Sequence, residues 1–215
     1  MMRFHGYFRS SSSYRCRIAF NLKGIEYDFV PVHLVKDGGQ QKSESYRALN
    51  PQALVPTLEV DGMVLTQSPA ILEWLDETHP EPPLLPADAA TRAAVRAFCA
   101  VIACEIHPLQ NLRVLQYLEA SYGQGAEGKE VWCQRWIGDG LAACEALLAR
   151  RPATRFAFGD APGMAEVYLV PQMFSAQRFK VDTSAMPRLR EIVAACEALP
   201  AFAAAHPSRQ PDAEG

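Results

Sequence analysis

The chain has 215 residues, 49% hydrophobic and 21% charged, with a formal net charge of −3 and an isoelectric point near 6.0. That length accommodates one large domain or two small ones, and the composition is that of an ordinary globular protein. The slight negative charge gives no electrostatic reason to expect nucleic acid or an anionic membrane as partner, and with no membrane-length apolar run and no secretory leader pattern the expected compartment is the cytoplasm.

In chain order, Phe4 to Phe8 is short, aromatic and β-prone, a first strand. Tyr14 to Gly24 reads as a helix with Ile18, Ala19 and Leu22 on one side and Gly24 as its stop. Tyr27 to Leu34 is a second strand. Thr57 to Val60 and Met63 to Thr66 flank Asp61-Gly62, a strong hairpin signal. Gln67-Ser68-Pro69 opens a helix running to about His79, with Ser68 as N-cap and Pro69 at the first helical position. The order β-α-β, connection, β-β-α is that of a thioredoxin-like α/β domain, assigned to residues 1–80.

The stretch Pro80 to Pro86 holds four prolines and cannot continue a helix or a central strand, so residues 81–87 read as a linker. Beyond it the apolar residues recur with a period near 3.6: Val95, Phe98, Ile102 and Ile106 form one stripe, and Trp136, Leu141, Cys144, Leu147 and Leu148 another. Residues 88–215 are therefore expected to form an all-α C-terminal domain with helices near 88–122, 128–150, 163–179 and 187–199. The tail from His206 is polar and is expected on the surface. The cysteines at 16, 99, 104, 133, 144 and 196 form no C-x-x-C pair and do not cluster with histidine. Neither a disulfide framework nor a metal site is expected, and most of them read as buried and reduced.

Four places offer chemistry. Arg9-Ser10-Ser11-Ser12-Ser13-Tyr14-Arg15 lies where the first strand gives way to the first helix. Hydroxyls there join unpaired N–H groups and the positive end of the helix dipole, an arrangement that suits an anion such as a thiolate; alternatively, one serine caps and the rest fill a loop. In Val55-Pro56-Thr57, a cis proline would offer the Val55 backbone to an extended, peptide-like ligand. Gln67-Ser68 opens a helix whose N–H groups suit a carboxylate, or simply caps it. His107 and Asn111 fall one turn apart on the long predicted helix and share a face, with Arg113 about 200° round from Asn111. A lone helical histidine is more often an ordinary polar group. Taken together, anion-binding features from separate places fit a small anionic peptide.

The segment Phe8-Arg-Ser-Ser-Ser-Ser-Tyr-Arg-Cys-Arg-Ile-Ala-Phe20 resembles the signature of zeta-class glutathione transferases, the group that includes maleylacetoacetate isomerase. The likeness continues through Lys36 to Gln41, Ala48 to Pro51, Val55 to Leu58, Gln67-Ser68, Leu84 to Pro86, His107 to Asn111, Leu169 to Gln172, Arg178 to Asp182 and Arg209 to Asp212. It implies a glutathione-dependent isomerase that turns a maleyl into a fumaryl group; a maleylpyruvate isomerase, or a conjugating or dehalogenating transferase, is the alternative. By position, Ser10 to Arg15 would form the thiol-activating loop, with Ser10 and Ser11 nearest the sulfur and Ser12, Ser13 and Arg15 around it. Gln41, the Val55 backbone, Gln67 and Ser68 would hold glutathione, and His107, Asn111 and Arg113 would close the site. Arg9 and Arg178 would grip the carboxylates of a small dicarboxylate substrate, while Arg15 and Arg17 either help or make structural ion pairs. A homodimer is expected because the family forms one. Three positions depart from the pattern: Ser12 stands where cysteine is usual, His107 where the animal enzymes have glutamine, and Glu166 where aspartate is common, in a helix start without the usual threonine cap. Gly163 is expected to cap there, with slightly weaker local structure.

The implied reaction has two requirements. A thiol of pKa about 8.5 must ionise near neutrality. A hydrogen bond to a charged group contributes about 1.5–3 kcal/mol and a helix N-terminus about 0.3–1 more, which together lower the pKa by roughly one to three pH units. Two substrate carboxylates also need cations, for which the planar guanidinium is suited.

Overall fold

The computed structural model describes residues 2–214 and divides into two compact units: residues up to Pro83 together with those from Ala198 onward, and Leu84–Glu197.

The first unit is built on a four-stranded mixed sheet of order β2-β1-β3-β4. β1 (Arg3–Gly6) pairs in parallel with β2 (Asp28–Pro31) and antiparallel with β3 (Thr57–Val60), which forms the Asp61-Gly62 hairpin with β4 (Met63–Thr66). The crossover between the parallel strands is α1 (Ser11–Lys23). Ser10 caps it, accepting the Ser13 N–H, and Gly24 ends it in the left-handed region at φ 62°. The helix thus begins three residues before its expected start at Tyr14: the serines look like loop by composition, but Ser11, Ser12 and Ser13 are buried in the first turn. β1 correspondingly stops at Gly6, and Tyr7 and Phe8 enter a turn closed by Ser10 N–H donating to the Tyr7 carbonyl at 3.0 Å. The connection holds a short helix, α2 (Glu44–Leu49), capped by Ser43. In α3 (Ser68–Thr78), Ser68 is the first helical residue and Gln67 takes the cap position at φ 70°, one residue earlier than expected. Phe4, Phe20 and Tyr27 form the aromatic centre beneath α1, with ring centroids 4.5–5.4 Å apart.

The chain returns to this unit at its end. Following the helix at Pro187–Glu197, α9 (Pro200–Ala205) packs on α1, where Asn21 donates to the Ala201 carbonyl at 2.8 Å. Pro207 is buried, and the Asp212 carboxylate accepts the Phe8 N–H at 2.9 Å. The tail expected on the surface is therefore docked, although most of its residues remain partly exposed.

In the second unit the expected 88–122 helix is three pieces: α4 (Ala89–Ala100), a π-helical turn at Val101–Ile106, and α5 (Leu112–Tyr122). Pro108 has no N–H to continue the ladder, and Asn111, in extended conformation, starts a new helix by accepting the Arg113 N–H. A wide turn is a common device where a helix must change course. α6 (Ala126–Ala149) packs against that turn, and Gly140 makes the room: a Cβ there would lie 2.3 Å from the Ile106 side chain. α7 (Met164–Arg178) is buried along most of its length and packs against α4 and α8 (Pro187–Glu197). Its start is capped as expected at Gly163, with Glu166 reaching back to it. Glu166 is buried and accepts both Gly163 N–H at 2.7 Å and Ala157 N–H at 2.8 Å, and Gly163 is required because a Cβ would stand 2.7 Å from the Leu84 carbonyl oxygen.

Candidate functional site

Residues Tyr7 to Ser13 form the turn from β1 into α1. Beneath it lies Arg17, fully buried, whose guanidinium donates to the carbonyls of Tyr7 (3.4 Å), Phe8 (2.9 Å) and Ala205 (3.0 Å). Arg17 therefore makes backbone hydrogen bonds instead of the ion pair that the sequence left open; burial lowers its pKa to about 10, so it remains a cation at neutral pH. Above the turn Arg9 is exposed. Its Nη2 donates to the Tyr7 hydroxyl at 3.0 Å, and its guanidinium lies 5.2–5.7 Å from the Phe8 and Tyr7 ring centroids.

The four serines do different things. Ser10 is half-exposed and its Oγ accepts the Ser13 N–H at 3.2 Å. Ser12 Oγ donates to the Val55 carbonyl at 3.0 Å and lies 3.0 Å from Ser10 Oγ. A hydroxyl has one proton, so with Ser12 committed to Val55 the Ser10 hydroxyl must be the donor to Ser12. Ser12 thus ties α1 to the Val55 segment. Ser13 is wholly buried, with its Oγ 3.4 Å from the Tyr7 N–H, and belongs to the packing under the turn. Ser10, half-exposed at the cap, and Ser11, buried at the first helical position, are the two hydroxyls at the mouth of the helix. Cys16, one turn further in, is pushed up to about 12 by burial, so it stays a thiol at neutral pH despite Arg15 and Arg17 nearby. Burial likewise raises Cys133, Cys144 and Cys196; Cys104 is the exposed cysteine.

The Val55–Pro56 bond is cis. The preceding Leu54 carbonyl is held by the Tyr46 hydroxyl at 2.7 Å and the Asn50 amide at 2.8 Å. At the start of α3, Ser68 is buried and its Oγ accepts from Arg15 Nη1 at 3.3 Å, so a buried guanidinium and a helix N-terminus meet at one point. Both favour a carboxylate. Gln67 donates through its amide to Gln52. Gln41 is buried; its Nε2 donates to the Leu34 carbonyl at 3.3 Å, and its Oε1 has no hydrogen-bond partner among the described residues. A buried acceptor left open is costly unless a ligand N–H completes it, which fits a bound peptide.

The first unit thus brings together Ser10, Ser11, Ser12, Val55, Arg15 and Ser68 by direct contact or adjacency. His107, Asn111, Arg113 and Arg178 belong to the second unit. His107 ends the π turn and Asn111 is a cap outside regular helix, so the two do not share a helical face as expected. Their segment is held by Trp132 Nε1 donating to Leu109 O at 2.8 Å and by a reciprocal amide pair, Gln110 with Gln172, at 3.1 Å. Arg113 and Arg178 are exposed, on α5 and at the end of α7, with Arg178 over the Phe179 ring. No local pattern marks Tyr7, Arg17 or Asp212 as supports of the turn, since each acts through a contact distant along the chain or through backbone atoms. Among the described residues no cluster of histidine, cysteine and carboxylates could hold a metal ion.

Residues 4–83 match the family model for the glutathione S-transferase N-terminal domain, and a thioredoxin-like sheet with an all-helical second unit is the architecture of that class. The maleylacetoacetate isomerase of Rattus norvegicus is 49% identical over 208 residues, 97% of this chain and 93% of its own. A solved holo structure of a maleylpyruvate isomerase, described as a bacterial zeta-class glutathione S-transferase, is 47% identical with a TM-score of 0.96 over 99% of this chain and 100% of that one. A maleylacetoacetate isomerase from Methylobacterium extorquens AM1, solved with malonate and glutathione bound, is 40% identical with a TM-score of 0.94 over 99% of this chain and 100% of that one. The chain belongs to the zeta class of the glutathione S-transferase family, with the maleylacetoacetate and maleylpyruvate isomerases. None of its described helices is long and apolar enough to cross a membrane.

Proposed function

We propose that the protein is a glutathione-dependent cis-trans isomerase of a maleyl dicarboxylate, with maleylacetoacetate converted to fumarylacetoacetate as the first reading. The observation that carries it is the hydroxyl pair Ser10 and Ser11 at the start of α1, with Arg9 beside them. Relatives and structural neighbours support the class of reaction, and one neighbour binds both glutathione and a small dicarboxylate, malonate.

Glutathione supplies a thiolate, which adds reversibly to the alkene so that the former double bond can turn. The residues present fit that tripeptide: Gln41 has an open buried acceptor, and Arg15 with Ser68 and the start of α3 suits a carboxylate. Gln67, the Val55 backbone and the Ser10–Ser13 turn complete its cradle. Ser10 and Ser11 donate to the sulfur and favour its charged form, Ser10 by rotating its proton away from Ser12. Arg9 binds a substrate carboxylate. From the helical unit, the resemblance assigns His107 and Asn111 to glutathione and Arg113 and Arg178 to substrate. A cytoplasmic homodimer, with a glutathione-holding domain at residues 1–80, a linker at 81–87 and a substrate domain at 88–215, completes this reading.

The test is isomerisation of maleylacetone with and without glutathione, beside maleylpyruvate and a halogenated acid. Glutathione-dependent turnover of maleylacetone supports the reading. Faster turnover of maleylpyruvate would move the assignment to the second substrate, which the 0.96 TM-score neighbour favours, and conjugation alone would replace isomerisation.

A further inference from the structure

Arg9 follows two peptide units that side chains hold, the Tyr7–Phe8 unit at both its carbonyl and its N–H and the Phe8–Arg9 unit at its carbonyl. Arg17 donates to the carbonyls of Tyr7 and Phe8, and Asp212, 204 residues along the chain, accepts the Phe8 N–H at 2.9 Å. Arg17 also holds the Ala205 carbonyl, so the same guanidinium grips both the turn and the start of the tail. We propose that Asp212 is a positioning residue which, with Arg17, locks the Tyr7–Phe8 peptide units and so aims Arg9 at the substrate carboxylate. This rests on the reading of Arg9 given above.

Three observations support the assignment. First, Arg9 depends on the residues that are clamped: its Nη2 bonds the Tyr7 hydroxyl and its guanidinium stacks over both the Tyr7 and Phe8 rings. A rotation of the Phe8 peptide would carry those rings, and with them the guanidinium.

Second, the tail reaches the same aromatic support by another route. His33 Nδ1 accepts the N–H groups of Val35 and Lys36, which places its proton on Nε2. That Nε2 lies 3.3 Å from a Glu214 oxygen and 3.5 Å from the Tyr7 hydroxyl, with the His33 ring edge-on to Tyr7 at 4.8 Å. Glu214 is itself paired with Lys36.

Third, Asp212 is a poor choice for a merely structural pin. Its Oδ1 is buried without a hydrogen-bond partner among the described residues, and a half-satisfied carboxylate costs more than a neutral residue there. What the carboxylate adds is a strong acceptor for one peptide N–H and a favourable field on the buried Arg17 cation.

Ser10 is less dependent on this clamp, because its own N–H is tied to Tyr7 O within the turn and its side chain caps α1. The clamp should therefore act on substrate more than on glutathione. The test compares wild type with Asp212→Ala and Asp212→Asn, measuring KM for maleylacetone and for glutathione, and hydrogen exchange of the Phe8 amide. Asparagine keeps an acceptor for Phe8 N–H; alanine does not. The alanine variant should raise KM for the maleyl substrate about tenfold, as a misaimed binding group does, with KM for glutathione changed by less than about twofold. Phe8 exchange should accelerate in the alanine variant, and asparagine should restore most of both properties. Equal rises in the two KM values, asparagine no better than alanine, or a Phe8 amide that exchanges as slowly in Asp212→Ala as in wild type would overturn the proposal. If wild type isomerises no maleyl compound, the assigned activity falls instead, and the Phe8 exchange, which needs no substrate, still decides the clamp.

Discussion

Each hydroxyl of the serine run has one proton to give, and the geometry shows where some of them go. Ser12 is committed to Val55, whereas Ser10 can turn outward. Ser10→Ala or Ser11→Ala should therefore raise the thiol pKa of bound glutathione by about one to two pH units, the equivalent of losing one charge-assisted hydrogen bond of about 1.5–3 kcal/mol. Thiolate absorbance titrated against pH reads this directly, and curves unchanged in both variants would remove the activating role. Ser12→Ala should leave that titration almost unmoved and lower stability by about 1 kcal/mol, seen as a small drop in Tm. Arg9→Met should raise KM for maleylacetone well above any effect on glutathione; equal effects on both would count against a carboxylate grip.

At the scale of an element, the start of α7 shows how a missing cap is replaced. Glu166 reaches back to the Gly163 N–H and across to Ala157, and Gly163 lets the Leu84 carbonyl approach and accept the Met164 N–H at 2.8 Å. Gly163→Ala would drive a Cβ to 2.7 Å from a backbone oxygen that cannot move alone, so a loss of about 1–3 kcal/mol is expected in denaturant unfolding. Burial holds the Glu166 carboxyl above its ordinary pKa, against the opposing pull of its N–H donors. The folded state then binds this proton more tightly than the unfolded chain does. The stability it contributes is full below the ordinary carboxylate pKa and is lost as pH rises through the higher folded value. Relative to Glu166→Gln, which does not titrate, wild type should lose ground as pH rises above the ordinary carboxylate range; a constant difference in Tm from acid to neutral pH would contradict the shift.

For the whole molecule, ligand linkage gives the simplest check. Glutathione at about a hundred times its Kd should stabilise the folded chain by about 2.7 kcal/mol and raise Tm by several degrees. A melting curve indifferent to saturating glutathione would remove it as the cofactor, whatever the fold.

The local chemistry of the chain was enough to reveal the strand-helix order of the first unit, the Asp61-Gly62 hairpin, the proline break after α3 and the serine turn with Arg9. In each case neighbouring residues carry the signal: periodicity, a turn dipeptide, a cap, a missing N–H. Three features were settled only by tertiary contacts. Ser11 to Ser13 became helix because their polar groups find partners inside the fold; the long 88–122 pattern broke at a π turn because Ile106 must pass Gly140 and Pro108 cannot donate. Likewise the polar tail docked because Phe8 N–H and Arg17 needed acceptors that its own neighbours did not supply. Apolar spacing says which side of a helix is covered, but a buried polar group is satisfied by a partner whose distance along the chain can be anything, and only the folded coordinates name that partner.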